Sequence, residues 1–284
     1  MIISVASGKG GTGKTTVATN MALAVDSKVT VLDCDVEEPN AHLFLHPEMM
    51  GTVQVDTPVP QVDRGKCSLC RKCSDICRFS AITVVGSSVM VFPELCHSCG
   101  GCLLVCPEGA IMEVGRVLGD IESGKRDHIN FSLGRMRVGE AMAPPLIKQV
   151  RENAPADRPV IIDAPPGTSC PVIAATYGVD FVLMVTEPTP FGLHDLKLAV
   201  EAVKILGIPS GLVINRSDMG TPDVRAYAEK EGLPVLMEIP FDRSIAEAYS
   251  HGKTMVEEFP EWGDRFRTLY ATIEAIVQTV GGVQ

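Results

Sequence analysis

No apolar run in the 284 residues approaches the roughly eighteen needed to cross a bilayer. The apolar opening, Met1 to Ala6, is too short for a signal peptide. A cytoplasmic protein without a membrane anchor is the expectation. Positive charge is also scarce, with 25 Lys and Arg against 35 Asp and Glu and a net charge of -10. Nucleic-acid binding draws on cations that displace counterions from phosphates, so no nucleic-acid partner is expected. Cysteine is absent after Cys170, and eight of the ten cysteines crowd between Cys67 and Cys106. Reducing cytosol does not sustain a disulfide framework, so such a cluster points to metal ligands or redox centres.

What is present is enough apolar residue, 45%, for a sizeable core. The first forty residues read strand (IISVAS), glycine loop (GKGGTGKT), helix (TVATNMALAV), strand (KVTVLD), the opening of a βαβ unit. From about Thr57 the composition turns to Pro, Cys and charge, and regular periodicity returns only near Val114. This is read as an insertion over 58–113 within a domain formed by 1–57 and 114–284. RVLGDIESGKRDHINFSLG then predicts hairpin strands, and GEAMAPPLIKQV leads into a helix. Beyond it the strand-like runs PVIIDA, DFVLMVTE, GLVIN and LPVLMEIP alternate with helical segments near 192–206, 222–231, 244–251 and 261–280. Short, almost wholly apolar strands of this kind predict an α/β fold, a doubly wound and mostly parallel sheet covered on both faces. The last helix carries apolar residues at Trp262, Phe266, Leu269, Tyr270, Ile273, Ile276, Val277 and Val280, with only Arg265 and Arg267 as cations, and reads as a packing face.

Gly8-Lys9-Gly10-Gly11-Thr12-Gly13-Lys14-Thr15 satisfies the phosphate-loop pattern between a predicted strand and a predicted helix. Glycines let backbone N–H groups wrap phosphates, the helix N-terminus adds a favourable dipole, Lys14 neutralises charge and Thr15 supplies a magnesium ligand. Gly8, Gly10 and Gly13 also fit the dinucleotide fingerprint, with Asp33 where a ribose-binding acid would sit. Lys14-Thr15 favours the phosphate loop, as does Asp163 at the end of the run Val160-Ile161-Ile162, placed to hold magnesium.

A lysine inside the loop, Lys9, makes KGGTGKTT resemble the deviant Walker A motif of the MinD/ParA/Mrp family. Asp33 to Asn40 resembles that family's first switch, Asp163 to Thr168 its second, and Thr186 to Thr189 and Ile214 to Arg216 also match. The resemblance implies an ATPase with slow, partner-stimulated turnover and an ATP-dependent homodimer. It implies catalytic roles for Lys9, reaching the partner's phosphates, for Lys14, and for Asp35, positioning the attacking water. Gly10, Gly11, Thr12, Gly13, Lys14, Thr15, Thr16, Gly167, Asn215, Arg216, Pro240 and Asp242 would bind ATP, and Thr15, Asp35 and Asp163 would hold Mg2+. Phosphoryl transfer is mainly positioning and charge stabilisation, which suits these roles. Mrp-type scaffolds usually carry a later Cys-x-x-Cys pair, which this chain lacks.

Cys67, Cys70, Cys73 and Cys77, then Cys96, Cys99, Cys102 and Cys106, give C-x2-C-x2-C-x3-C twice, the two-cluster ferredoxin spacing. The two stretches, 67–82 and 96–111, align at an offset of 29 residues. Three close thiolates wrap a cubane and the fourth ligand comes from the other half. Cys67, Cys70, Cys73 and Cys106 would then hold one [4Fe-4S] cluster, and Cys96, Cys99, Cys102 and Cys77 the other. Structural zinc is the competing use of Cys-x-x-Cys pairs. Arg78 replaces the proline that Pro107 keeps, and His97 lies between two ligands as an exposed or hydrogen-bonding residue. Cys34 and Cys170 fall near the nucleotide, where a buried cysteine packs as a small hydrophobe. Cys170, seven residues after Asp163, also resembles in spacing the bridging-cluster cysteine of the related nitrogenase iron protein, which implies a ligand or redox role as the alternative. The combined expectation is a nucleotide-driven dimer switch coupled to electron transfer or to metal-cluster assembly on a redox or metal-cluster partner protein. The alternatives are a spatial or assembly switch with sensing or structural clusters, and an iron-sulfur cluster carrier.

Overall fold

The computed structural model describes residues 1–281. Strand β1 (Ile2–Ala6) runs into the glycine loop and α1 (Lys14–Ala24), followed by β2 (Val29–Asp33), α2 (His42–Leu45) and β3 (Glu48–Val62). Next come α3 (Lys72–Ile76), β4 (Ile82–Val85), β5 (Ser88–Val91), α4 (Gly101–Leu104), β6 (Ile111–Arg126) and β7 (Ile129–Met136). The chain continues through α5 (Pro144–Glu152), β8 (Val160–Asp163), α6 (Cys170–Thr176), β9 (Phe181–Thr186), α7 (Pro190–Leu206) and β10 (Ser210–Asn215). It ends with α8 (Asp223–Glu231), β11 (Val235–Ile239), α9 (Arg243–Ser250), α10 (Met255–Glu258) and α11 (Pro260–Gly281). The four expected strand runs are β8 to β11, and the expected hairpin stretch, 116–134, falls in β6 and β7.

Two compact units result: Met1–Thr52 with Ile121–Arg135 and Ile147–Gln284, and Val53–Asp120 with Met136–Leu146. The first is built on the strand order β11-β10-β9-β1-β8-β2-β7, continued by β6 and β3. β1 lies parallel to β8 and β9, β2 to β8 and β7, and β10 to β9 and β11. Strand side chains alternate between faces, so each face collects every second residue. Ile3, Val5, Val31, Ile161 and Leu183 share one buried core with Val17 and Met21 of α1 and Trp262, Phe266, Leu269 and Ile273 of α11. Met184, in the other alternation, borders a small cavity with Val172 of α6 and Val203 of α7. Both faces of the sheet are therefore covered, as near-continuous apolar strands require. The expected packing face of α11 is present up to Val277, while Val280 is 46% exposed because the helix continues beyond its last core neighbours. No helix among the described residues is long and apolar enough to cross a membrane.

Helix ends follow local chemistry. Thr189 caps α7 by accepting from the Gly192 N–H, with Pro190 at the first helical position, and Gly207 ends the helix in the left-handed conformation. Thr254 and Glu257 form a reciprocal capping box on α10.

In the second unit Val55, Val59, Leu118 and Leu146 are buried, but around the cysteines the core is small. Cys73, Ile82, Val84 and Val89 form its buried cluster around the antiparallel β4–β5 hairpin. Arg116 and Glu140 form a two-pronged ion pair, both side chains largely buried, that ties β6 to the 136–146 segment. There the guanidinium outweighs the effect of burial and holds the Glu140 carboxyl below its ordinary range.

Candidate functional site

The glycine loop joins the end of β1 to the start of α1 at the carboxyl edge of the parallel strands, where open α/β sheets bind ligands. Gly11 and Gly13 have φ of 77° and 100°, conformations that side chains resist. A Cβ on Gly13 would also fall 2.5 Å from Asn215 Nδ2. Asn215, at the end of β10, donates from Nδ2 to the Thr12 carbonyl at 2.9 Å and so braces the loop from a strand two hundred residues away.

A cavity of about 380 Å3 opens in front of this loop. One wall is Gly10, Gly11, Gly13, Lys14, Thr15 and Thr16, and Asp35 stands beside them. The other is Asn215, Arg216, Pro240 and Asp242, with Phe241, Ile245, Tyr249 and Met255 adding apolar surface. Phe241 lies within the 240–242 stretch expected at the base, whereas nothing in the sequence marks Ile245, Tyr249 and Met255 beyond the helical i, i+4 spacing of the first two. Thr12 and Gly167 do not line the cavity. Thr12 is buried beneath the loop, and Gly167 (φ 101°) donates its N–H to the Ser7 carbonyl. Lys9 also lies outside it, with Nζ 3.9 Å from Glu187, which pairs with Arg216 at 3.0 Å on its other oxygen.

Three carboxylates surround Lys14. Asp33 is fully buried and turned into its own loop, accepting from the N–H groups of Asp35, Asn40 and Ala41. It therefore shapes the segment that carries Asp35 and, fully buried, presents no oxygen to a ribose. Burial pushes the Asp33 carboxyl well above its ordinary range, and Asp163 adds to the effect. Burial also raises Asp163 to about 7 and Asp35 to about 6, while Lys14 opposes both. The Lys14 ammonium is itself lowered by burial, against the pull of Asp163, Asp35 and Asp33. Thr15 Oγ1 donates to Asp163 Oδ2 at 2.6 Å, and Asp163 Oδ1 is buried without a hydrogen-bond partner. An orphaned carboxylate oxygen beside the Thr15 hydroxyl, with Asp35 at the same cavity, offers hard oxygen donors to a divalent cation that completes its shell with water and phosphate, so the residues fit Mg2+.

In the second unit the eight clustered cysteines divide four and four. Cys67, Cys70, Cys73 and Cys106 line one cavity, and Cys77, Cys96, Cys99 and Cys102 line another. The backbone repeats with the sequence offset. Leu69 and Ser98 have φ of 59° and 53°, Arg71 and Gly100 of 68° and 69°, and Ser80 and Gly109 of 54° and 55°. Left-handed backbone at Leu69 and Arg71 is strained, and strain held at matching places in two halves marks loops shaped around something. Backbone N–H groups of Ser98 and Ala110 point at the sulfurs of Cys96 and Cys106. At Cys77 burial opposes ionisation, but the N–H groups of Ile82, Phe79, Ala81 and Ser80 outweigh it and lower the thiol. Four thiols per cavity with N–H donors on sulfur fit thiolate-ligated clusters. Among the described residues no three His, Cys, Asp or Glu side chains gather as ligands of a single metal ion.

The two remaining cysteines lie in the first unit. Cys34 is fully buried, and burial pushes its thiol up, so it packs as a small hydrophobe. Cys170 is exposed at the start of α6.

A chain from Methanocaldococcus jannaschii, described as uncharacterized protein MJ0579, is 29% identical over 92% of this chain and 97% of its own length. The cytosolic Fe-S cluster assembly factor Nubp2 homolog of Anopheles gambiae is 28% identical over 98% and 97%. An iron-sulfur cluster carrier protein of Pyrococcus abyssi is 25% identical over 89% and 78%. In fold, the chain is similar to the septum site-determining protein MinD of Pyrococcus horikoshii with Mg-ADP, with a TM-score of 0.60 and 21% identity over 99% and 97%. A match to CbiA, described as the CobQ/CobB/MinD/ParA nucleotide binding domain, spans residues 3–255. With that match across most of its length, a phosphate loop at the carboxyl edge of a MinD-like sheet, and a magnesium-suited acid cluster beside it, the chain belongs to the CobQ/CobB/MinD/ParA nucleotide-binding family.

Proposed function

We propose that this chain is an ATP-dependent iron-sulfur protein that carries two [4Fe-4S] clusters and hands iron-sulfur to a partner protein during cluster assembly. The carrying observation is the four-and-four division of the cysteines between two cavities, in the ligand sets that ferredoxin spacing requires. Relatives named as cluster carrier and cluster assembly factor favour delivery over electron transfer as the task. On this reading residues 58–113 are a ferredoxin-like insertion in a nucleotide-binding domain made of 1–57 and 114–284. The clusters supply the transferable iron and sulfide.

In the nucleotide site, the loop N–H groups and Lys14 bind the phosphates, and Thr15, Asp35 and Asp163 hold Mg2+. Asn215 and Arg216, with Pro240 and Asp242, close around the base. Asp35, ionised above its raised pKa of about 6, accepts a hydrogen bond from the attacking water and aims it at the γ-phosphate. Lys9 is turned away from its own cavity toward Glu187. In an ATP-bound homodimer it leaves Glu187 for the partner's phosphates and offsets the charge that develops there. Anaerobic reconstitution of the full chain tests the cluster assignment: about eight iron and eight sulfide per chain support it, and one zinc per four cysteines overturns it.

One observation favours a second reading, electron transfer. Each cavity takes cysteines from both halves of the repeat, so a held cluster cross-links the two runs, as suits a resident redox centre. Electron transfer leaves iron on the chain after partner turnover, whereas delivery removes it.

A further inference from the structure

The offset of 29 residues relates the walls of the two cysteine cavities as well as the ligands. Cys67, Cys70, Cys73 and Cys106 of one cavity map onto Cys96, Cys99, Cys102 and Cys77 of the other, and Ala110 and Ile111 onto Ala81 and Ile82. The mapping breaks at the rim. Ser68 and Glu108 border the Cys67 cavity, and their counterparts at the Cys96 cavity are His97 and Phe79. These two rings stack face to face, with centroids 3.4 Å apart and planes inclined by 7°.

The stack joins the two halves of the repeat across one cavity only: Phe79 follows Cys77, and His97 follows Cys96. Stacked aromatic pairs contribute beyond the area they bury, so the two exposed rings latch the first half of the repeat to the second at this cavity. Serine and glutamate at the equivalent positions of the Cys67 cavity have no rings with which to form such a latch.

We infer that the two cluster sites are unequal: the Phe79–His97 stack latches the two halves of the repeat together at the site of Cys77, Cys96, Cys99 and Cys102, and the unlatched site of Cys67, Cys70, Cys73 and Cys106 is the one that exchanges. This rests on the proposed assignment of a cluster to each cavity. Exchange at the unlatched site breaks the four Fe–Sγ bonds to Cys67, Cys70, Cys73 and Cys106 and forms four bonds to thiols of the acceptor. The acceptor's four thiol protons pass to the freed cysteines, and no electron is gained or lost. Phe79 and His97 touch neither the nucleotide nor the acceptor in this scheme. They are positioning residues, and the retained cluster keeps the unit folded while the other leaves.

The test is iron release from the anaerobically reconstituted full chain to the ferrous chelator bathophenanthroline disulfonate, followed by absorbance. Wild type releases iron in two phases of equal amplitude, with rates separated about fivefold or more, about 1 kcal/mol. The graft Phe79→Glu with His97→Ser merges both phases into the fast one, whereas His97→Phe, which keeps a stack, preserves the slow phase. The reverse graft, Ser68→His with Glu108→Phe, slows the fast phase, and it stands as an independent test if the first graft fails to reconstitute. A single phase in wild type, or phases that neither graft moves, overturns the inference. Wild type that never binds eight irons fails the cluster assignment itself, which separates the two failures.

Discussion

The two units are held together by different means. In the first, the strands and the helices α1 and α11 bury a continuous apolar core, and the nucleotide cavity is an edge feature of a structure that burial alone stabilises. In the second, the buried cluster around the cysteines is Cys73, Ile82, Val84 and Val89, and most remaining side chains of the two cysteine runs are exposed or half-exposed. So small a core does not offset the entropy of ordering those loops, as in small metal domains generally. The difference teaches that ATP binding should survive loss of metal, while the architecture around the cysteines should not.

Metal removal gives the largest effect. Stripping iron with chelator should abolish amide-exchange protection across 64–110, while β1, β8 and β9 keep theirs. Equal protection with and without iron would break the comparison. Lys14→Ala should cut ATP turnover by about a hundredfold or more, because the phosphate charge loses its buried partner. Its iron content should stay at the wild-type level, as measured by phosphate release beside iron analysis.

pH comes next. Burial raises Asp35 to about 6 and Asp163 to about 7 from an ordinary 3.8, so folding favours their protonated forms. That stabilisation is complete below the ordinary carboxylate range and is lost as pH rises through about 6 and then about 7. Magnesium needs the ionised forms, so MgATP affinity should run the other way, rising about tenfold per pH unit below the governing pKa. Asp163→Asn should remove the upper part of both trends, read by nucleotide titration and by thermal melting across the pH range.

Asn215→Ala should weaken ATP binding about fivefold to tenfold by freeing the Thr12 carbonyl and the loop it braces. The smallest effect is expected at Cys34→Ala, about 1 kcal/mol of stability, with iron content and ATP turnover unchanged.

How much of this was legible in the sequence depended on distance along the chain. The glycine loop, the Asp163 strand and the repeated cysteine spacing are local patterns whose chemistry is set within a dozen residues. The parallel strands β8 to β11 are legible for the same reason, as short apolar runs between helical stretches. Contacts that depend on tertiary closure were not. Nothing near Asn215 indicates that its amide reaches Thr12, and nothing near Lys9 indicates Glu187 as its neighbour. The sequence pairs Phe79 with Glu108 and His97 with Ser68 through the repeat, but only the folded hairpin brings the two rings face to face. Asp33 shows the converse. Its position suits a ribose-binding acid, and only its three accepted N–H bonds show that it serves its own loop.

The central claim, that nucleotide binding in one unit governs iron-sulfur held by the other, is tested most directly by loading the full chain with 55Fe and sulfide. The label is then followed to an apo-ferredoxin acceptor with and without MgATP. The account predicts that label moves to the acceptor faster with MgATP, and that Lys14→Ala abolishes the acceleration. Label that stays on the chain, or that moves equally fast without nucleotide, would contradict it.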